Sequence, residues 1–105
     1  MLQIHDVMLD AIATMRPVVR AIERCDRDLA CQLRRAASSV VLNLAEGSGS
    51  AGGVRRQRYR TALGSARETW SCLRVAEAAG YIESLPSTLP ALMNRVIGTL
   101  VRVAV

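Results

Sequence analysis

Every one of the fourteen basic residues in this chain is an arginine. A guanidinium presents a planar fork of donors that matches phosphate oxygens and stays charged at any physiological pH. Residues 1–53 hold six arginines and six acids, whereas residues 54–105 hold eight arginines and three acids, so the net charge of +5 belongs to the second half. Arg55, Arg56, Arg58 and Arg60 follow one another, and with Arg67 they precede the first acid of that half, Glu68. Arg60, Arg67 and Arg74 recur every seven residues, one stripe on a helix, and Arg20, Arg27 and Arg34 repeat that spacing earlier. The chemistry such a set can do is sequence-independent contact with a phosphate backbone. Its alternative is a solvated face whose arginines pair with Glu46, Glu68 and Glu77. No zinc finger, RRM signature or helix-turn-helix pattern is visible, so recognition would rest on charge and shape rather than base edges.

Other chemistries find less material. His5 is the one histidine and has no Glu three residues before it, which argues against the Glu-x-x-His pairs of di-iron bundles and leaves no Ser-His-Asp or Cys-His set. Cys25, Cys31 and Cys72 are odd in number and contain no C-x-x-C pair, so neither a zinc site nor a disulfide framework is expected. Glu68 and Glu77 lie nine apart on different faces of one helix, unsuited to acid–base work as a pair. The glycine run GSGSAGG at 47–53 lacks the lysine of a phosphate-binding loop and follows a helix instead of a strand; it reads as a linker. The expectation is a non-enzyme with no metal and no cofactor.

The elements that must position these residues are helical. A chain of 105 residues makes one domain, and a composition that is half hydrophobic, rich in Ala, Leu and Val and without Phe favours closely packed helices. Ile4, Met8, Ala11, Met15, Val18 and Ile22 hold a helical seam over about 3–24, with Pro17 predicting a kink or break near Thr14 to Arg16. Helix two is expected over 28–46, capped by Asp26 or Asp28 and ended by Gly47 as a left-handed cap. Helix three is expected over 54–79 with Tyr59, Leu63, Ala66, Trp70, Leu73 and Ala76 on its seam, and helix four over 87–104 with Pro90 in its first turn. Short connections then give an all-α, antiparallel up-down-up-down four-helix bundle as a single domain over 1–105. A hairpin centred near residue 50 would set Ala36–Ser39 against Thr61–Gly64 and bring Glu46 among Arg55, Arg56 and Arg58.

Two polar residues stand out in helix two. Asn43 falls where the seam of Leu29, Leu33, Ala36 and Val40 would continue, a placement that lowers stability and fixes register. Glu46 lies in the last turn, against the helix dipole, which implies a nearby arginine partner. With Gly47 they are read as structural. Helices one and four carry more apolar surface than a solvated helix needs, which predicts a homo-oligomer through them. The tail from Val96 to Val105 is too short to span a bilayer and contains Arg102, and Asp6 and Asp10 interrupt the first apolar stretch, so a cytoplasmic protein without membrane contact is expected.

Arg35, Ala36, Ser39, Val40, Asn43, Leu44, Ala45, Glu46 and Gly47 meet an R-A-x-x-S-[IV]-x-x-N-[IL]-A-E-G pattern, and Ala62 to Thr69, with Leu73, Ala76 and Gly80-Tyr81-Ile82, forms a second block. In both, the chain resembles the rRNA-intervening-sequence proteins, a family of small four-helix bundles related to accessory proteins of diversity-generating retroelements. The resemblance implies a pentameric ring with a basic surface that contacts nucleic acid, and a reverse transcriptase as a partner. Taken together, the residues and the resemblance point to a homo-oligomeric scaffold binding RNA or DNA backbone through Arg55, Arg56, Arg58, Arg60, Arg67 and Arg74. The competing reading is a protein-interaction module with no nucleic-acid role.

Overall fold

The computed structural model describes residues 3–105, and these form five helices: α1 (Ile4–Thr14), α2 (Arg16–Cys25), α3 (Arg27–Ser48), α4 (Gly52–Ala78) and α5 (Leu89–Val103). Five replace the four expected because the first is divided at Met15. Pro17, in the first turn of α2, has no N–H for the carbonyl of Ala13, and its ring would collide with that carbonyl. The helical ladder lapses there and resumes when Val19 N donates to Met15 O at 2.9 Å. Met15 itself is buried under the bend.

The remaining boundaries follow from caps. Asp26 leaves helical geometry with φ −154°, and its Oδ1 accepts from Leu29 N at 2.9 Å, starting α3. The chain turns into α4 through Gly52, whose φ of +57° favours glycine. At the far end Gly80, φ +77°, donates to Glu77 O, and Tyr81 N donates to Ala76 O at 2.9 Å. This is the two-bond Schellman arrangement that satisfies the last carbonyls of α4. Pro90 stands in the first turn of α5, where its missing N–H has no helical partner to lose.

The sequence reading differs from the structure at Gly47. It does not end α3 and does not take a left-handed conformation; α3 runs on to Ser48 and is closed by Gly49 at φ −85°. Gly47 instead lies against the ring of Tyr59 on α4, and a Cβ at that position would sit 2.4 Å from Tyr59 Cε1.

α3 and α4 form a long antiparallel hairpin, α5 packs on α1 and α4, and α1 and α2 pack on α3. The hairpin register is about one helical turn from the expected one. Ser39 meets Ser65, and Gly47 meets Tyr59, so the turn is centred near residues 52–53 and not 50. The glycines at 52 and 53 join α4 instead of the connection, which moves the crossing point along the chain. The core joins Met8, Met15, Ile22, Leu33, Val40, Leu44, Leu73, Leu89, Met93, Val96 and Leu100, with Ala37, Ala62, Ala66 and Ala76 where backbones approach closely. Thr69, fully buried on α4, donates to Ser65 O at 2.8 Å, so its hydroxyl is satisfied.

One residue ties the two turns at one end of the molecule. Asp26 caps α3 with Oδ1, while its Oδ2 accepts from the Tyr81 hydroxyl at 3.4 Å. Asp26→Ala removes both contacts and should destabilise the fold by about 1–2 kcal/mol, the range for loss of an N-cap. Thermal melts of the variant check this; a melting temperature equal to that of the parent chain would discount the cap.

Alkali should act on the same end. The Asp26 carboxylate, through its charge, raises the Tyr81 phenol above its ordinary 10.0, aided by desolvation and the hydrogen bond. Burial first, and the charge of Glu68 second, raises the Cys72 thiol above 9.0. Both groups ionise more readily in the unfolded chain. Their contribution is complete below about pH 9 and declines as pH rises through and beyond those ordinary values. Melting temperature measured from pH 7 to 11 should therefore fall in the upper part of that range, and Cys72→Ala with Tyr81→Phe should flatten the fall.

Candidate nucleic-acid interface

The six arginines expected to meet phosphate all lie on α4, and the structure separates them by what they already touch. Arg55 reaches back across the hairpin turn. Its Nε donates to Gly47 O at 3.2 Å and its terminal nitrogen to Ser50 O, so one fork closes the C-terminal end of α3. Arg60 does the same for α5, with Nε donating to Ala104 O at 3.1 Å. Cationic donors at helix C-termini satisfy orphan carbonyls and suit the negative end of the dipole. Arg58 pairs with Glu46 at 3.0 Å. Arg74 pairs with Glu77 at 3.3 Å and lies 5.8 Å above the Trp70 ring. Arg56 and Arg67 are exposed and have no ion pair or hydrogen bond among the described residues.

All six side chains are nonetheless exposed, and Arg56, Arg60, Arg67 and Arg74 recur at helical spacing down one side of α4. Gly64 and Ser71, also exposed, fall between them. Short side chains there leave the guanidiniums proud of the helix surface. The half-exposed pairs with Glu46 and Glu77 are worth only about 0.2–1 kcal/mol each, so a phosphate can compete for either arginine.

The sequence expectation for Glu46 holds in the structure: its partner is Arg58, one of the three arginines named, across the hairpin. Asn43 is half-buried at the margin of the seam, and Leu44 takes the fully buried place beside it. Asn43 Nδ2 donates to Ser39 O at 2.9 Å and to Ser39 Oγ at 3.1 Å, and Ser65 Oγ on α4 donates to Ser39 Oγ at 2.7 Å. The asparagine thus fixes the hydroxyl that joins α3 to α4. The three residues Asn43, Glu46 and Gly47 all act on the α3–α4 crossing, each by a different contact.

Sequence reasoning missed a second basic region. On the outer side of α3, Arg34, Arg35, Ser38, Leu42 and Arg58 border a shallow groove of about 470 Å³. It runs into another of about 340 Å³ beneath the α1–α2 bend, where Ile12, Met15, Val19 and Ala37 form an apolar floor beside Arg16, Arg20 and Arg34. Arg34 pairs with Glu23 at 2.8 Å. The signal for this region was the bend at Pro17, which opens the wall of the groove, but no spacing rule connects residues on three separate helices. Among the described residues no group of three or more His, Cys, Asp or Glu side chains is placed to hold a metal ion. No described helix is long and apolar enough to cross a membrane.

These features define a small all-helical protein with an arginine-lined face and a motif that sets one helix crossing. The chain belongs to the 23S rRNA-intervening sequence protein family, whose profile matches residues 6–100. Searches of the curated proteins and of the solved structures return no match.

Proposed function

We propose that this protein is a non-enzymatic, homo-oligomeric scaffold of the cytoplasm that binds nucleic-acid backbone through the outer stripe of α4. In this reading α1 and α2 count as one bent helix, and the chain is an antiparallel up-down-up-down four-helix bundle. Arg56 and Arg67 are the observation that carries the reading: two solvated guanidiniums without acid partners, on one stripe with Arg60 and Arg74. The family description, with its reference to 23S rRNA, favours RNA as the ligand. Exposed Leu9, Leu42 and Val101 support self-association, and a pentameric ring that engages a reverse transcriptase is the assembly the family resemblance suggests.

The protein-interaction reading draws on a specific observation too, since Arg55, Arg58, Arg60 and Arg74 already have partners within the chain. Fluorescence anisotropy with short RNA and DNA duplexes between about 50 and 200 mM salt separates the two. Backbone binding should weaken with a log–log slope of about 0.7–0.9 per phosphate neutralised and should be similar for unrelated sequences. Absence of binding at the low-salt end would favour the protein-interaction module.

A further inference from the structure

How copies of this chain meet rests on the homo-oligomer reading, and α1 supplies the first of the two surfaces. α1 is the most acidic of the helices on its outer side. Asp6, Leu9, Asp10 and Ala13 are exposed there, α1 contains no arginine, and Leu9 is 44% exposed between the two carboxylates. Asp10 has no side-chain partner among the described residues, and Asp6 has only its neighbour His5 at 3.5 Å. The adjoining side of the bent α1–α2 unit carries the complementary chemistry. The groove under the α1–α2 bend has an apolar floor of Ile12, Met15, Val19 and Ala37 and a rim of Arg16, Arg20 and Arg34. Of these, Arg34 is paired with Glu23, while Arg16 and Arg20 have no ion-pair partner among the described residues.

We infer that the outer side of α1 in one copy docks into the groove beneath the α1–α2 bend of the next. Leu9 enters the apolar floor, and Asp6 and Asp10 meet Arg16 and Arg20. The two surfaces adjoin on the α1–α2 unit of the same chain and differ in charge. Ile12 and Met15 turn toward the groove, Leu9 lies only about 60° from Ile12 round α1, and Asp6, Asp10 and Ala13 lie about 100° or more from Ile12, at 100° per residue. Two copies related by a two-fold axis make this contact twice and close as a dimer; without that axis each addition leaves one α1 and one groove free, and the assembly closes as a ring or grows as a filament. Unpaired charges of opposite sign on the two patches set the orientation.

The contact also agrees with the burial of α5. Leu89, Met93, Val96 and Leu100 are consumed by the chain's own core, so α5 keeps only Val101 as a large exposed apolar side chain within Leu89–Val103. That is less interface than the sequence suggested for the last helix.

Two charge-reversed chains test the inference. One carries Asp6→Arg and Asp10→Arg, the other Arg16→Asp and Arg20→Asp. In each chain alone the α1 side and the groove rim have the same sign, so light scattering at micromolar concentration should give the monomer mass of 11.4 kDa. Mixed one to one, each α1 meets an opposite rim, and the two chains should assemble together above the monomer mass, in even numbers where the assembly is closed. Leu9→Gln, neutral in charge, should lower the parent's mass by itself. Circular dichroism and thermal melting establish that each variant is folded; should either reversed chain fail to fold, Leu9→Gln carries the test. A monomeric parent chain, reversed chains that keep the parent's mass, a mixture that stays monomeric, or an unaltered mass for Leu9→Gln would each overturn the docking. None of these outcomes bears on phosphate binding by α4, which is read separately by the salt dependence of anisotropy.

Discussion

Gly47→Ala should lower the stability of the fold by about 1 kcal/mol and by no more than about 2, the net of two opposed terms. Alanine in a helix interior is favoured over glycine by about 1 kcal/mol, and Gly47 is a helical residue of α3. Against this, its Cβ would stand 2.4 Å and 2.8 Å from two carbons of the Tyr59 ring, and the ring must move. Tyr59 is buried and packed among core residues, so it has little room, and overpacking of this kind costs about 1–3 kcal/mol. The clash wins because it involves two ring atoms and a rigid aromatic. Melting temperature should fall by about 4–8 °C, given the usual entropy of a domain this size. In a Tyr59→Leu background, Gly47→Ala should lose most of its effect, which a double-mutant cycle measures as coupling. A Gly47→Ala chain as stable as the parent would show that the ring yields freely.

Arg56→Ala combined with Arg67→Ala should reduce affinity for RNA or DNA duplexes by about 25- to 60-fold at 0.1 M salt. Each phosphate contact contributes about 0.7–0.9 to the slope of log affinity against log salt, so two lost contacts remove about 1.4–1.8 decades relative to 1 M. The slope should become shallower by the same amount, and unrelated sequences should be affected alike. These two arginines are the right pair because neither has an ion pair or hydrogen bond among the described residues, so folding should be unchanged. Pairing Arg55→Ala with Arg56→Ala, the natural choice from the sequence, confounds binding with stability, since Arg55 holds the end of α3. Binding and slope unaltered by the Arg56 and Arg67 double variant would remove α4 as the contact surface.

Much of the fold is legible in the sequence, for physical reasons. Pro17 announces a break between Thr14 and Arg16 because proline acts on the backbone locally, and α1 does end at Thr14. Helical periodicity is likewise local, so the spans of α3, α4 and α5 lie within two residues of expectation at each end. Glu46 was readable as a paired residue because an acid in a last turn is unfavourable on its own. What failed was what depends on register. Gly47 reads from the sequence as a conformational glycine, the commonest role of a glycine near a helix end, because its contact with Tyr59 exists only once the hairpin crossing is fixed. The roles of Arg55 and Arg60 were hidden for the same reason: each serves a helix end that arrives from elsewhere in the chain.

The two arginine clamps bear on why lysine cannot stand in freely for arginine in this protein. Arg55 serves two carbonyls, those of Gly47 and Ser50, through different nitrogens of one flat group. A lysine brings the same charge but a single nitrogen at the end of a flexible stem. Exchange is therefore tolerable on electrostatic grounds at solvated positions such as Arg56 and Arg67, and intolerable on geometric grounds at Arg55. At Arg60, where Nε itself makes the bond to Ala104, the nitrogen lies partway along the side chain, and lysine has a methylene there. A chain in which all charge was kept but every guanidinium was replaced would hold its net +5 and lose the closures at the ends of two helices. For this fold, the identity of the cation is a constraint separate from its charge.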